Sequence, residues 1–152
     1  MFKVGSHNMY NHLLIAIDGS DLSKRALRQG LALAKALAAK VTVVTVTQPL
    51  GGGLTGGYGL PISPTEYAKA ATDHAKHVLD DAAKIAGLGQ AIDALHVADE
   101  YPAEAILTTA EERKVDLIVM APHHRRAVEW FLFGSETSRV LAEGDKSILI
   151  VR

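Results

Sequence analysis

Residues 12–46 read HLLIAIDGSDLSKRALRQGLALAKALAAKVTVVTV, and the order of apolar residues in this stretch predicts the fold. Residues 12–17 form a short continuous apolar run, which is typical of a strand buried on both faces. Over residues 22–38 the apolar side chains recur every three or four positions, which predicts a long amphipathic helix. Residues 41–46 are almost all β-branched and predict a second buried strand. This order indicates two parallel strands joined by a crossover helix.

The same alternation of strand and helix continues along the rest of the chain. Apolar runs predict three more strands, at residues 91–97, 116–120 and 147–151. The intervening helices are predicted at residues 65–86, from Pro102 through Ala110, and from Gly134-Ser135 through Leu141. Five such strands predict an α/β fold, an open five-stranded parallel sheet with helices on both faces, of the Rossmann-like type. We therefore expect a ligand site outside the carboxyl ends of the strands, where the strand order reverses.

Several segments directly follow predicted strands and are expected at that edge of the sheet. They are Asp18, the segment 48–64, Asp99 and the segment 121–135. The segment 48–64 contains six glycines and three prolines, so it is predicted to be a loop without regular structure. Two interpretations of this loop remain open, a lid over the site or a floppy connection.

The composition excludes several classes of protein. The chain has 152 residues, the size of one domain, and its 48% of apolar residues exclude an intrinsically disordered protein. Sixteen basic against seventeen acidic residues give a net charge of −1, which points to neither nucleic acid nor an anionic membrane as partner. The sequence has no cysteine, which excludes disulfides and thiolate chemistry, and no apolar run long enough to span a bilayer.

The first eight residues are interpreted separately from the fold. Residues 1–8 lack the apolar core of a signal peptide, and they contain Gly5-Ser6-His7 ahead of a second methionine, Met9. We interpret them as a remnant of cloning. A single domain over residues 9–152, located in the cytoplasm, is therefore expected.

Seven histidines raise the question of a metal site. His74 and His77 lie three positions apart in a predicted helix, and His123-His124 are adjacent in a predicted loop. Neither pair has an obvious carboxylate or thiolate partner in the sequence, and metal sites normally need three or four ligands, so no metal site is predicted. The sequence also has no pattern of a nucleophile with its base and no P-loop, and an enzyme is therefore not expected.

Three segments of the chain carry the pattern of a known family. They are LLIAIDGSDLSKRALRQGLALAKALAAKVTVVTV at residues 13–46, PAEAILTTAEERKVDLIVM at residues 102–120, and DLIVMAPHHRRAVEWFLFGSETSRVLAEGDKSILIVR at residues 116–152. Together they resemble the universal stress protein family. The resemblance implies an adenine nucleotide alpha-hydrolase-like fold, a dimeric stress-response protein and, in some members, bound ATP with Mg²⁺.

The nucleotide motif of this family is only partly retained. Members that bind ATP carry Gly-x2-Gly-x9-Gly-Ser/Thr after the fourth strand, and here that register has Ala121 and His124 at the first two glycines, followed by Gly134 and Ser135. A histidine forced to a positive φ costs of order 1 kcal/mol, and its ring fills space where phosphate oxygens approach the backbone. Glu136 also departs from the pattern, because family members usually have a small or β-branched apolar residue at this position. A carboxylate in the first helical turn repels a phosphate that competes for the helix dipole.

The resemblance implies roles for residues outside the motif as well. Asp18 would lie near the adenosine, although by position it is equally a turn residue that bonds its own backbone. Val46 would line the adenine pocket, although it is equally a core residue. Arg125 and Arg126 either supply charge to a triphosphate or belong to a solvated loop. The predicted nucleotide-binding residues are Asp18, Val46, Met120, Ala121, His124, Gly134, Ser135 and Glu136.

Three functions remain open at this point. The first is a stress-response module that binds ATP or another adenine nucleotide weakly through the degenerate motif. The second is an interaction scaffold without a small ligand, and the third is a slow ATP-hydrolysing enzyme. By resemblance the last strand, which starts at Ser147 and ends at Val151, lies at the sheet edge, and a homodimer through it would cover an exposed apolar edge.

Overall fold

A computed structural model describes residues 9–49, 63–122 and 135–152. Within these ranges the chain alternates between strands and helices, as predicted. In chain order the elements are β1 (His12–Ala16), α1 (Asp21–Leu37), β2 (Lys40–Thr47), α2 (Pro64–Ala86), β3 (Asp93–Ala98), α3 (Pro102–Glu112), β4 (Leu117–Met120), α4 (Ser135–Glu143) and β5 (Ser147–Ile150).

The strands form one sheet in the order β3-β2-β1-β4-β5, and every neighbouring pair is parallel. Helices α1 and α2 contribute to the core on one face, and α3 and α4 contribute to the core on the other. The predicted open five-stranded parallel sheet with helices on both faces is thereby confirmed. The strand order reverses between β1 and β4, which are neighbours in the sheet.

The position of β1 at the centre of the sheet explains why its sequence is a continuous apolar run. Leu13 and Ile15 belong to the core beneath α1 and α2, whereas Leu14 belongs to the core beneath α3. All three side chains are fully buried, because helices cover both faces of the strand. Helix α1 lies close to β1 at Gly30, where an added Cβ would come within 2.7 Å of Ile15 Cδ1.

Some predicted boundaries differ from the observed ones by one or two residues. Strand β3 begins at Asp93, its first residue paired with β2, and not at Ala91. Pro64, predicted to lie in a loop, is the first residue of α2, because Ser63 caps the helix and proline at the first helical position loses no hydrogen bond. At the edge of the sheet, β5 ends at Ile150, one residue earlier than predicted. In the ranges that the structure describes, no helix is both long and apolar enough to cross a bilayer.

Candidate functional site

A cavity of about 600 Å³ opens at the carboxyl ends of β1, β2 and β4. It lies at the point where the strand order reverses, the position at which open α/β sheets bind their ligands. Helix α2 contributes to its wall from one face of the sheet, and α3 and α4 contribute from the other. Its volume is in the range of small-molecule sites.

Much of the cavity wall is apolar. Val46 from β2 and Met120 from β4 line it, together with Ala70 of α2 and Ile106 of α3. Val46 also packs against the core beneath α3, and Met120 is part of that core. Val46 therefore lies in the cavity wall and also packs against the core, and its role at an adenine pocket stays a prediction.

Asp18 lies at the cavity in a turn that is held by its own hydrogen bonds. Its Oδ1 accepts a hydrogen bond of 2.9 Å from the Ser20 backbone N–H, and its backbone N–H donates to Ser23 Oγ at 3.3 Å. Ser20 is the N-cap of α1 and accepts from the Ser23 backbone N–H. Asp18 is exposed and lines the cavity, so the turn fixes the position of this acidic residue at the cavity.

Glu136 connects α4 to the start of α3. Its Oε2 accepts a hydrogen bond of 2.8 Å from the backbone N–H of Ala103, the second residue of α3. The N-cap residue of α3, Tyr101, provides no side-chain cap, so the Glu136 carboxylate takes over part of that role. Glu136 also lines the cavity, which places its negative charge beside the ligand space.

Thr137 and Ala121 lie together at the end of β4. The Thr137 hydroxyl donates to the backbone carbonyl of Ala121 at 3.4 Å, and the Thr137 side chain is fully buried. Both residues line the cavity. Thr137 was not predicted, because a threonine inside a short helix has no local signal that marks it as part of a site.

A group of polar residues at α2 and the end of β2 also lines the cavity and was not predicted. The Tyr67 hydroxyl donates to the Gln48 carbonyl at 3.2 Å, which ties the start of α2 to the end of β2. Gln48 Nε2 in turn donates to the Glu100 carbonyl at 3.1 Å. Tyr67, Gln48 and His74 all line the cavity, and none stands in a recognisable motif.

The structure brings together five of the eight predicted binding residues at the cavity, namely Asp18, Val46, Met120, Ala121 and Glu136. Ser135 is the first residue of α4, directly before Glu136. His124 and Gly134 lie outside the described residues, as do Arg125, Arg126 and the loop 51–59. Asp99 follows β3, but it is absent from the described cavity lining, and its Oδ1 accepts from the Tyr101 backbone N–H at 2.8 Å.

No group of three or more metal-ligating side chains occurs in residues 9–49, 63–122 and 135–152. His74 lines the cavity, whereas His77 lies 3.9 Å from a carboxylate oxygen of Asp81 on the same helix. The second histidine pair of the sequence, His123-His124, lies outside these ranges.

Comparisons with known proteins agree with this fold. Residues 9–152 match the model of the universal stress protein family. A Thermus aquaticus relative, "Universal stress protein in QAH/OAS sulfhydrylase 3'region", is 36% identical over 95% of this chain and 100% of its own length. The solved structure of the hypothetical protein MJ0577 is similar with a TM-score of 0.77 and 25% identity, over 94% of this chain and 96% of that one. A universal stress protein solved in complex with cAMP has a TM-score of 0.71 and 26% identity, over 94% and 97% of the two chains.

Proposed function

Because the chain belongs to the universal stress protein family, we propose that it is a stress-response module that binds an adenine nucleoside or nucleotide in this cavity. The observation that carries the proposal is the open cavity of about 600 Å³ at the point where the strand order reverses. The similar structure at 26% identity, which is a complex with cAMP, supports an adenine ligand. The ligand implied by the family pattern is ATP with Mg²⁺, and binding without turnover is the proposed mode of action.

The chemistry of the lining suits the two halves of a nucleoside. Val46, Ala70 and Met120 offer apolar surface to a base, and the Asp18 carboxylate is an acceptor for ribose hydroxyls. The backbone at Ser135, where α4 begins, is proposed to lie near a phosphate.

An interaction scaffold without a small ligand is the alternative. That function predicts a pocket filled by side chains at positions 121 and 124. Ala121 lines the open cavity and does not fill it, which favours a ligand, while His124 lies outside the described residues. Proteins with a filled site would show no thermal shift with any nucleotide.

Isothermal titration of adenosine and of ATP with Mg²⁺ tests the proposal, after a check for co-purified nucleotide by absorbance. Ala70 is an exposed residue of α2 at the cavity, so Ala70→Trp should fill the cavity without disturbing the core and weaken binding at least about tenfold. Ala68→Trp, exposed on the same helix and outside the described lining, is the matched control. No binding heat with either compound, and no co-purified nucleotide, would contradict the proposal.

Two further parts of the proposal concern turnover and assembly. ATP hydrolysis that disappears in Asp18→Ala would instead support the enzyme alternative.

We also propose a cytoplasmic homodimer that forms through β5. Strand β5 is at the sheet edge, and its Leu149 is 36% exposed, which supports coverage of this edge by a second copy.

A further inference from the structure

We infer that Glu136 makes the cavity select against phosphate, so that its preferred occupant is an adenine nucleoside and not ATP. The inference rests on the proposed function, because it concerns the occupant of the same cavity. It follows from three observations: where the Glu136 carboxylate is held, which donors of α3 are already used, and which charges line the cavity.

The Glu136 carboxylate is held at the cavity by a specific hydrogen bond. Its Oε2 accepts from the Ala103 backbone N–H at 2.8 Å, and the residue is half-buried between α3 and α4. A carboxylate at the start of a helix is stabilised by the helix dipole as well as by the hydrogen bond. Moving it away from the cavity would leave the Ala103 N–H without this partner.

Two backbone donors at the start of α3 are already used by the protein. The Tyr101 N–H donates to Asp99 Oδ1 at 2.8 Å, the next residue is Pro102, which has no N–H, and the Ala103 N–H donates to Glu136. A phosphate oxygen that approached this helix end would therefore compete with two carboxylates.

The charged residues of the cavity lining also disfavour a phosphate. Among the described residues that line the cavity, Asp18 and Glu136 are acidic, and there is no lysine or arginine. The nearby Arg139 lies over the Tyr101 ring, 6.0 Å from its centre, and pairs with Glu104 at 3.8 Å. Repulsion between like charges grows with the number of phosphates on the ligand, whereas ribose hydroxyls can donate to the same carboxylates.

Titrations of adenosine, AMP and metal-free ATP into the wild type, Glu136→Gln and Glu112→Gln test the inference. Glutamine keeps an oxygen acceptor for the Ala103 N–H, so the change removes charge and preserves the contact. Glu112→Gln removes the same charge from the exposed last turn of α3, outside the described lining. The wild type should bind adenosine more tightly than AMP, and AMP more tightly than ATP. Glu136→Gln should strengthen ATP binding about tenfold and change adenosine binding less than about twofold, whereas the control should change neither by more than about twofold.

The outcomes separate this inference from the proposed function. If adenosine binds but the ratio of ATP to adenosine affinity is the same in the wild type and Glu136→Gln, the role of Glu136 is wrong and adenine binding stands. An equal gain in Glu112→Gln would assign the effect to overall charge and overturn the inference. If no compound binds to any of the three proteins, both the proposed function and this inference are wrong.

The wild-type protein alone provides a second measurement, which does not depend on the folding of a variant. Salt screens repulsion between exposed charges, so ATP affinity should rise between about 50 and about 300 mM salt, while adenosine affinity stays constant. A fall in ATP affinity over this range would show net attraction of the phosphates and overturn the inference.

Discussion

Gly19 occupies a position that a larger residue cannot take without strain. Its φ is +84°, a conformation that L-residues with a side chain rarely adopt, and it lies between Asp18 and the N-cap Ser20. An added Cβ would lie only 2.9 Å from Val78 Cγ2 on α2. The turn that places the Asp18 carboxylate at the cavity therefore depends on both the backbone freedom and the small size of this residue.

Gly19→Ala should lower the free energy of unfolding by about 2 kcal/mol, about 1 from the positive φ and the rest from the contact with Val78. Urea denaturation of the wild type and the variant measures the change. In a Val78→Ala background, the additional cost of Gly19→Ala should fall to about 1 kcal/mol, because the contact is removed and only the backbone strain remains. An equal cost in the two backgrounds would show that Val78 does not limit this position.

Single residues also show which parts of the site could be predicted from the sequence and which could not. Asp18 was expected at this edge because it follows a strand, and the carboxyl ends of parallel strands meet at one edge. Val46 was identified only through the resemblance to the universal stress protein family. The contact of Glu136 with Ala103 joins residues 33 positions apart, and nothing in the local sequence of either marks the pair. Thr137 was missed for a similar reason, since its burial and its bond to Ala121 depend on the packing of α4 against the end of β4.

Helix α2 begins with a capping box that explains its sharp start. The Ser63 N–H donates to Glu66 Oε2 at 2.8 Å, and the Glu66 N–H donates to Ser63 Oγ at 3.2 Å. The pKa of the Glu66 carboxyl lies below its ordinary value. The main cause is the hydrogen bond from the Ser63 backbone N–H, and the second cause is the Ser63 side chain. This box lies one turn before Tyr67 and Ala70, which line the cavity, so it fixes the end of the helix that forms the wall.

The lowered pKa of Glu66 predicts how the start of α2 responds to acid. Because the folded pKa is the lower one, the unfolded chain binds the proton more readily. The stabilisation is therefore complete above about pH 4.3, the ordinary glutamate value, and is lost as the pH falls through the folded pKa. An NMR titration of the Glu66 carboxyl should give a midpoint below the ordinary value. Ser63→Ala, which removes the hydroxyl and leaves the N–H, should move that midpoint upward and cost about 1 kcal/mol at neutral pH.

The titration of Glu66 has a matched control variant in α3. Glu112→Gln removes an exposed carboxylate from the last turn of α3 and should leave the titration of Glu66 unchanged. A Glu66 midpoint at or above the ordinary glutamate value in the wild type would show that the capping box does not form in solution.

At the level of elements, the sequence predicts whether a segment is a strand or a helix better than it predicts where that element begins and ends. The apolar periods of 12–17, 22–38 and 41–46 identify β1, α1 and β2, because burial on both faces and on one face leave different patterns. The ends of strands depend on pairing as well. Strand β3 starts at Asp93 because that residue pairs with Thr42, and the composition of residues 91–92 does not reveal this.

At the level of the whole molecule, the cavity is a product of topology. Elements that are distant in the sequence meet there because β1 and β4 are neighbours, although α1, β2, α2, β3 and α3 separate them along the chain. The two cores on opposite faces of the sheet hold α2 on one side of the cavity and α3 on the other. Periodicity could predict that a site forms at this edge, but the carboxylates that line it, and the bond that holds one of them, required the packed structure.

The proposed dimer through β5 can be tested by one change at the sheet edge. Leu149 is 36% exposed, so Leu149→Lys places a charge at the edge without emptying the core of one copy. Two copies would each lose about 1.5 kcal/mol of apolar burial, which corresponds to roughly a hundredfold weaker dimer. Sedimentation at micromolar concentration should show a dimer for the wild type and a monomer for the variant. Leu88→Lys, a fully exposed leucine before β3 at the opposite edge of the sheet, should remain a dimer. A monomeric wild type would contradict the proposal, because an edge that stays open at this concentration needs no second copy to cover it.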